Sequence, residues 1–142
     1  MHRRPLGNGR RLALLGAIIV VIAAVLPWYG IGGQVGQLPA SSWTAFDGTG
    51  IIAFFAALAT LALIALPYAA GERPVGIDRG LAFGLLAAVA VVGVVLWIPT
   101  SGALDALEGM LPTRAYGFWI AAMGTIMLAR AAYDISLEPP HR

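Results

Sequence analysis

The chain has 142 residues, of which 59% are hydrophobic and 11% charged, and its mean hydropathy is +0.82. This balance is far from that of a soluble domain and predicts one membrane domain over residues 1–142. The absence of cysteine excludes disulfides, thiolate metal sites and iron–sulfur clusters. The net charge of +2 comes from arginines that form no long basic run, so a nucleic-acid partner is not expected.

Charged residues are missing from four long stretches, which are 12–46, 48–71, 80–104 and 115–129. Such stretches predict helices that span a bilayer, since one crossing takes about 20 apolar residues. The predicted fold class is all-α, a four-helix transmembrane bundle with short outer loops. The predicted spans are about 12–28, 48–68, 80–98 and 115–133.

The first helix is predicted to follow Arg10-Arg11 and to end near Trp28, because Pro27 and Gly30 break helices. A cleaved signal peptide is the rival interpretation, since arginines precede a short apolar stretch. It is disfavoured because Pro27-Trp28-Tyr29 is a poor cleavage site and three further spans follow.

The second helix follows Thr44-x-x-Asp47, which has the form of a capping box, and is predicted to end around Pro67. In the loop before it, residues 34–38 (Gln-Val-Gly-Gln-Leu) are expected to form a short hairpin against the outer mouth of the bundle. The simplest role for this loop is to cap the helix ends, and the alternative is a ligand site.

The third helix is predicted to end at Ile98, before Pro99. Leu104, Leu107 and Leu111 in the next loop have the spacing of a short amphipathic helix in the interface. In the fourth helix, Arg130 must extend toward the lipid headgroups because the charge-free core is only 15 residues long.

Arginine placement predicts the orientation, because loops kept in the cytoplasm carry the excess of basic residues. Both termini are predicted to be cytoplasmic, in a multi-pass protein of the cell (plasma) membrane. The arginines then inside are Arg3, Arg4, Arg10, Arg11, Arg73, Arg79, Arg130 and Arg142, and only Arg114 is outside. The four tryptophans all fall near the outer interface, where aromatic side chains are favoured.

Small residues four apart predict the faces where helices approach closely, because association in lipid depends on van der Waals contact. The candidate packing seam contains Gly117, Ala121, Thr125 and Ala129 in the fourth helix, Gly80, Gly84 and Ala88 in the third, and Ala53 and Ala57 in the second. These faces are expected to lie inside the bundle. The alternative is that one stripe, on the fourth helix, makes a homo-oligomer.

No catalytic, cofactor-binding or metal-binding residue is predicted. The histidines, His2 and His141, lie in the tails, so no span offers a haem or metal ligand. The carboxylates expected outside, Asp47, Asp105 and Glu108, belong to no catalytic motif. The sequence therefore favours a protein that is not an enzyme and has no cofactor.

Two segments near the first outer loop carry a resemblance. Leu26-Pro27-Trp28-Tyr29-Gly30 and Ser42-Trp43-x-Ala45-Phe46 look like segments of small four-span integral membrane proteins of actinobacteria that have no assigned activity. The resemblance covers residues 10–68 and implies a fold and a lineage, with no catalytic residues to carry over.

These observations predict a structural, accessory-subunit or interaction role, with membrane lipid and a homo-oligomer or larger membrane complex as partners. The candidate outer-face interaction residues are Trp28, Tyr29, Trp43 and Asp47. The alternative is a small oligomeric transporter for a lipid or apolar molecule. Proton coupling is not expected, because no span contains the carboxylate that small proton-coupled transporters require.

Overall fold

The computed structural model describes residues 7–31, 41–69, 78–105, 113–114 and 116–137. Its helices are α1 (Asn8–Val25), α2 (Gly50–Ala69), α3 (Arg79–Asp105) and α4 (Tyr116–Ser136), with a 3-10 turn, η1, at Ala45–Asp47. Its strands are β1 (Tyr29–Ile31), β2 (Ser41–Trp43) and β3 (Thr113–Arg114). Four described helices are long and apolar enough to cross a membrane, which confirms the predicted four-helix architecture.

The helices form a ring in which α1 and α3 each pack against both α2 and α4. Neighbours run antiparallel, so each end of the bundle gathers four helix ends. We call one the tryptophan end, where Trp28, Trp97 and the start of α4 meet. We call the other the arginine end; it carries Arg10, Arg11, Arg79 and Arg130. The first and last described residues, 7 and 137, both lie at the arginine end.

The observed α1 is displaced toward the N-terminus from the predicted 12–28. It begins at Asn8, so Arg10 and Arg11 belong to its first turns, and it ends at Val25. Leu26 precedes Pro27 and is extended, with φ −82° and ψ 158°. A residue before proline is driven out of the helical region by contact with the proline ring, which sets this end.

The end predicted for the second helix, at about 68, agrees with the structure to within one residue, whereas the end predicted for the third helix, at Ile98, does not. Pro67 lies inside α2, and α3 continues past Pro99 to Asp105 instead of ending at Ile98. Proline has a φ compatible with a helix and removes one hydrogen bond, so it can bend a helix as well as end one. Of the predicted amphipathic helix, Leu104 falls in the last turn of α3, and Leu107 and Leu111 lie outside the described residues.

A small sheet lies at the tryptophan end of the all-α bundle and has one strand more than the predicted hairpin. The strand order is β2-β1-β3, with Tyr29 opposite Trp43 on one side and Arg114 on the other, both antiparallel. The predicted hairpin run, 34–38, lies outside the described residues, but the strands on either side of it do pair.

Glycine and alanine bring α1 and α4 together. A Cβ on Gly16 would lie 3.0 Å from the Gly124 carbonyl oxygen, and one on Gly124 would lie 2.7 Å from Val20 Cγ2. Only glycine fits such an approach at position 124, so this crossing depends on both glycines. Most of the core elsewhere is alanine, and aromatic rings fill it at the tryptophan end.

Candidate interaction site at the tryptophan end

A cluster of aromatic rings closes the tryptophan end. Trp28 is fully buried and meets Trp97 and Phe118 edge-on, with ring centroids 5.6 and 5.9 Å apart. Its indole Nε1–H donates to the Ala23 carbonyl oxygen at 2.8 Å, so the buried polar atom is satisfied. Trp28 therefore fills the space between the helices at the end of α1.

Tyr29 extends this cluster toward the sheet. Its side chain is only 2% exposed and contacts Trp97 edge-on at 5.5 Å and Trp43 at 5.7 Å. The Tyr29–Trp43 ring contact joins two residues that also face each other across the β1–β2 pair. The sheet and the aromatic cluster are thus one packed unit.

Backbone contacts hold the helix ends onto this unit. The Trp28 N–H donates to the Trp43 carbonyl at 2.8 Å, and the Gly117 N–H donates to the Pro27 carbonyl at 3.0 Å. A Cβ at Gly117 would lie 2.5 Å from the Pro27 oxygen, and one at Gly50 would lie 2.7 Å from Trp28 Cζ3. Glycine at the starts of α2 and α4 therefore allows this unit of sheet and aromatic rings, which we call the cap, to pack against the bundle.

Asp47 organises the chain just before α2. Its Oδ2 accepts from the Thr44 N–H at 2.7 Å and from the Thr44 hydroxyl at 3.0 Å, and the Phe46 N–H donates to Thr44 Oγ1 at 3.3 Å. The predicted capping box is confirmed. It caps η1, however, and α2 begins three residues later, at Gly50.

The predicted interaction residues separate into two groups. Trp28 and Tyr29 belong to the core, so their rings offer no surface to a partner, whereas Trp43 is half-buried and Asp47 is exposed. The prediction placed all four on an outer surface because aromatic side chains gather at the bilayer interface, but a ring there can point outward or into the protein. Sequence position alone does not distinguish the two directions.

Other aromatic side chains supply exposed surface at this end. Phe46 is 43% exposed, and Tyr116 and Trp119 are each 59% exposed. Tyr116 and Trp119 are three residues apart on α4, on a different face from buried Gly117 and Ala121, and helical spacing was the signal that could have marked them. We define the exposed rim as Trp43, Phe46, Asp47, Tyr116 and Trp119.

The structure buries some residues of the predicted packing seam and exposes others. Gly117, Ala121 and Thr125 are buried, and a Cβ on Gly80 would lie 3.4 Å from Ser136 Cα. Gly84 departs from the prediction, because a Cβ there would have no heavy atom within 4 Å. Ala88 and Ala129 are exposed. The helix has 3.6 residues per turn, so residues four apart rotate gradually away from one face.

The α4 stripe faces into the bundle at its buried positions, and Gly117 is already in contact with the end of α1. A homo-oligomer contact through this stripe would need the helices to separate. The sequence prediction also missed Gly93, where a Cβ would lie 2.7 Å from the Ala53 nitrogen and which brings α3 against α2.

The interior of the bundle offers little polar chemistry in the part of the chain that the structure describes. The buried polar side chains there are Thr60 and Thr125. Thr60 Oγ1 donates to the Ala56 carbonyl and Thr125 Oγ1 to the Ala122 carbonyl, each at 2.8 Å, so both hydroxyls are satisfied within their own helices. Among the described residues, no three His, Asp or Glu side chains gather as metal ligands.

Comparison with known proteins adds no relative to this picture. No protein-family model matches the chain, and no curated protein matches it.

Proposed function

We propose that this chain is an accessory or structural subunit of a larger assembly in the cell membrane, bound to a partner protein through the exposed rim, and that it is not an enzyme. The observation that carries the proposal is the contrast at the tryptophan end. A unit of buried rings and paired strands lies at the same end of the bundle as the exposed rings of Phe46, Tyr116 and Trp119, the half-buried ring of Trp43 and the carboxylate of Asp47. Aromatic side chains held on a rigid support lose little conformational freedom when they bind, which favours protein contacts.

Orientation and lineage complete the proposal. The four arginines described at one end support the proposal that this end is cytoplasmic and that the rim faces outward. The resemblance of residues 26–30 and 42–46 to small four-span actinobacterial membrane proteins agrees with a role that needs no catalytic residue.

Passage of a lipid or apolar molecule is the competing role, and the packing does not favour a path through a single copy. Close contacts join α1 to α4 at Gly124 and α2 to α3 at Gly93. The interior threonines are satisfied within their helices and line no described polar channel. A path between copies of the chain would leave these contacts intact.

Site-specific photo-crosslinking tests the proposal. A photoreactive residue at Ser42 or Phe46, both exposed at the tryptophan end, is expected to give a discrete protein adduct in native membranes. The matched control is Leu85, which is 62% exposed on α3 and is expected to give lipid adducts only. A rim that gives no protein adduct, together with lipid movement by the purified chain in liposomes, would overturn the proposal in favour of transport.

A further inference from the structure

An open cleft lies at the arginine end, between α1, α2 and α3. Arg10 of α1 and Arg79 of α3 line it. The rest of its lining is apolar and comes from α2, with Leu63, Ile64 and Pro67 among its residues, and from Phe83 of α3. The cleft therefore combines two positive charges from different helices with an apolar wall.

The charges of this cleft are not neutralised by described carboxylates. Among the described residues, the ion pair at this end joins Arg130 Nη2 to Asp134 Oδ1, both on α4, at 3.2 Å. Asp78, next to Arg79 in sequence, caps α3 instead, since its Oδ1 accepts the Leu81 N–H at 3.2 Å. Arg10 is half-buried and Arg79 is exposed, so both guanidinium groups can reach an anion in the cleft.

We propose that this cleft binds one anionic phospholipid, with its phosphate between Arg10 and Arg79 and an acyl chain along the apolar wall of α2. Guanidinium groups bind phosphate oxygens through paired, charge-assisted hydrogen bonds. Basic pockets between spanning helices bind acidic headgroups for the same reason. A free phosphate would use the arginines but leave the apolar wall without a ligand, so a lipid matches the whole lining.

The site lies at the opposite end from the exposed rim, and the proposal does not depend on the proposed subunit role. It also gives two of the basic residues a function beyond orientation. Arg11 provides the contrast, because it is exposed and adjacent in sequence but does not line the cleft.

Brominated lipids offer a direct test with the full chain in phosphatidylcholine vesicles. A fluorophore on a cysteine at Tyr68, which is exposed on α2 beside the cleft, reports the lipid there, and one at Leu137, exposed just after α4, is the positional control. Brominated phosphatidylglycerol is expected to quench the Tyr68 label more than brominated phosphatidylcholine does. The preference at Leu137 should be smaller.

Charge-matched variants distinguish a site from general attraction to a basic surface. The double variant Arg10→Gln with Arg79→Gln is expected to remove the preference for phosphatidylglycerol at the Tyr68 label. Each lost arginine should lower the affinity for the anionic lipid about fivefold. The double variant Arg11→Gln with Arg130→Gln removes the same amount of charge and should retain the preference for phosphatidylglycerol. Equal preference at both labels, or equal loss in both double variants, would overturn the proposal. Loss of the preference on adding inorganic phosphate would instead assign the cleft to a free anion.

Discussion

The two ends of the bundle are built on different principles. At the tryptophan end, paired strands and interlocked rings bury Trp28 and Tyr29 almost completely. At the arginine end, the helices carry exposed charge around an open cleft. One end therefore fixes the relative positions of the helices. The other end is the one that we propose to be available to lipid headgroups.

The largest effect is expected from removing the buried ring. Trp28→Ala would lose both ring contacts and the Nε1–H bond, and should lower the free energy of unfolding by about 3–5 kcal/mol, the range for large-to-small core changes. Thermal unfolding in a mild detergent measures this. The matched control is Trp119→Ala, whose ring is 59% exposed. Equal losses for the two variants would mean that the cap does not stabilise the bundle.

Overpacking the same cap is expected to cost somewhat less. Gly117→Ala would place a Cβ 2.5 Å from the Pro27 oxygen, so α4 must shift, at about 2 kcal/mol. Gly84→Ala, on an open face of α3, should leave the melting temperature unchanged or raise it, since alanine favours helix. The ranking is contradicted if Gly84→Ala proves the more damaging of the two.

An aspartate caps a helix at each end of the bundle, so the stability that each cap contributes can be compared. Asp47→Ala removes two hydrogen bonds, at 2.7 and 3.0 Å, whereas Asp78→Ala removes one at 3.2 Å. We expect about 1 kcal/mol for Asp47 and less for Asp78, measured as the shift in thermal unfolding. A larger loss at Asp78 would place more of the stability at the arginine end than the geometry indicates.

The smallest effect is expected at the exposed ion pair. Arg130 and Asp134 are 3.2 Å apart, with side chains 63% and 34% exposed, and Arg130 also lies over the Tyr133 ring. Solvent and salt weaken such a pair, so Arg130→Gln should change stability by at most about 0.5 kcal/mol. A change above about 1 kcal/mol, insensitive to salt, would show that this pair holds the arginine end together.

The sequence predicts the helices well because an uncharged stretch of spanning length has few alternatives. It predicts helix ends less well because proline at 67 or 99 is equally compatible with a bend. The third strand of the sheet could not be foreseen, since β3 has only two residues and pairs with a strand far away in sequence. Local pattern carries no signal for such a contact.

The candidate site shows a similar boundary. The capping box at Thr44 and Asp47 is local, and its spacing predicts it correctly. The burial of Trp28 depends on Trp97 and Phe118, which come from two other helices. The glycine contact of Gly16 with Gly124 depends in the same way on which helices become neighbours. The spacing of residues along the sequence identifies the packing face of a helix but not the helix that packs against it.

We propose that the bundle interior is closed and that this chain acts through its surface. Water-soluble thiol reagents test it directly in liposomes, because the natural chain has no cysteine. Cysteines replacing Thr60 and Thr125, which are 2% and 3% exposed, should remain unlabelled under conditions that label a cysteine at exposed Ser42 completely. Labelling of the Thr60 or Thr125 position from water would contradict the account and indicate a hydrated path through the bundle.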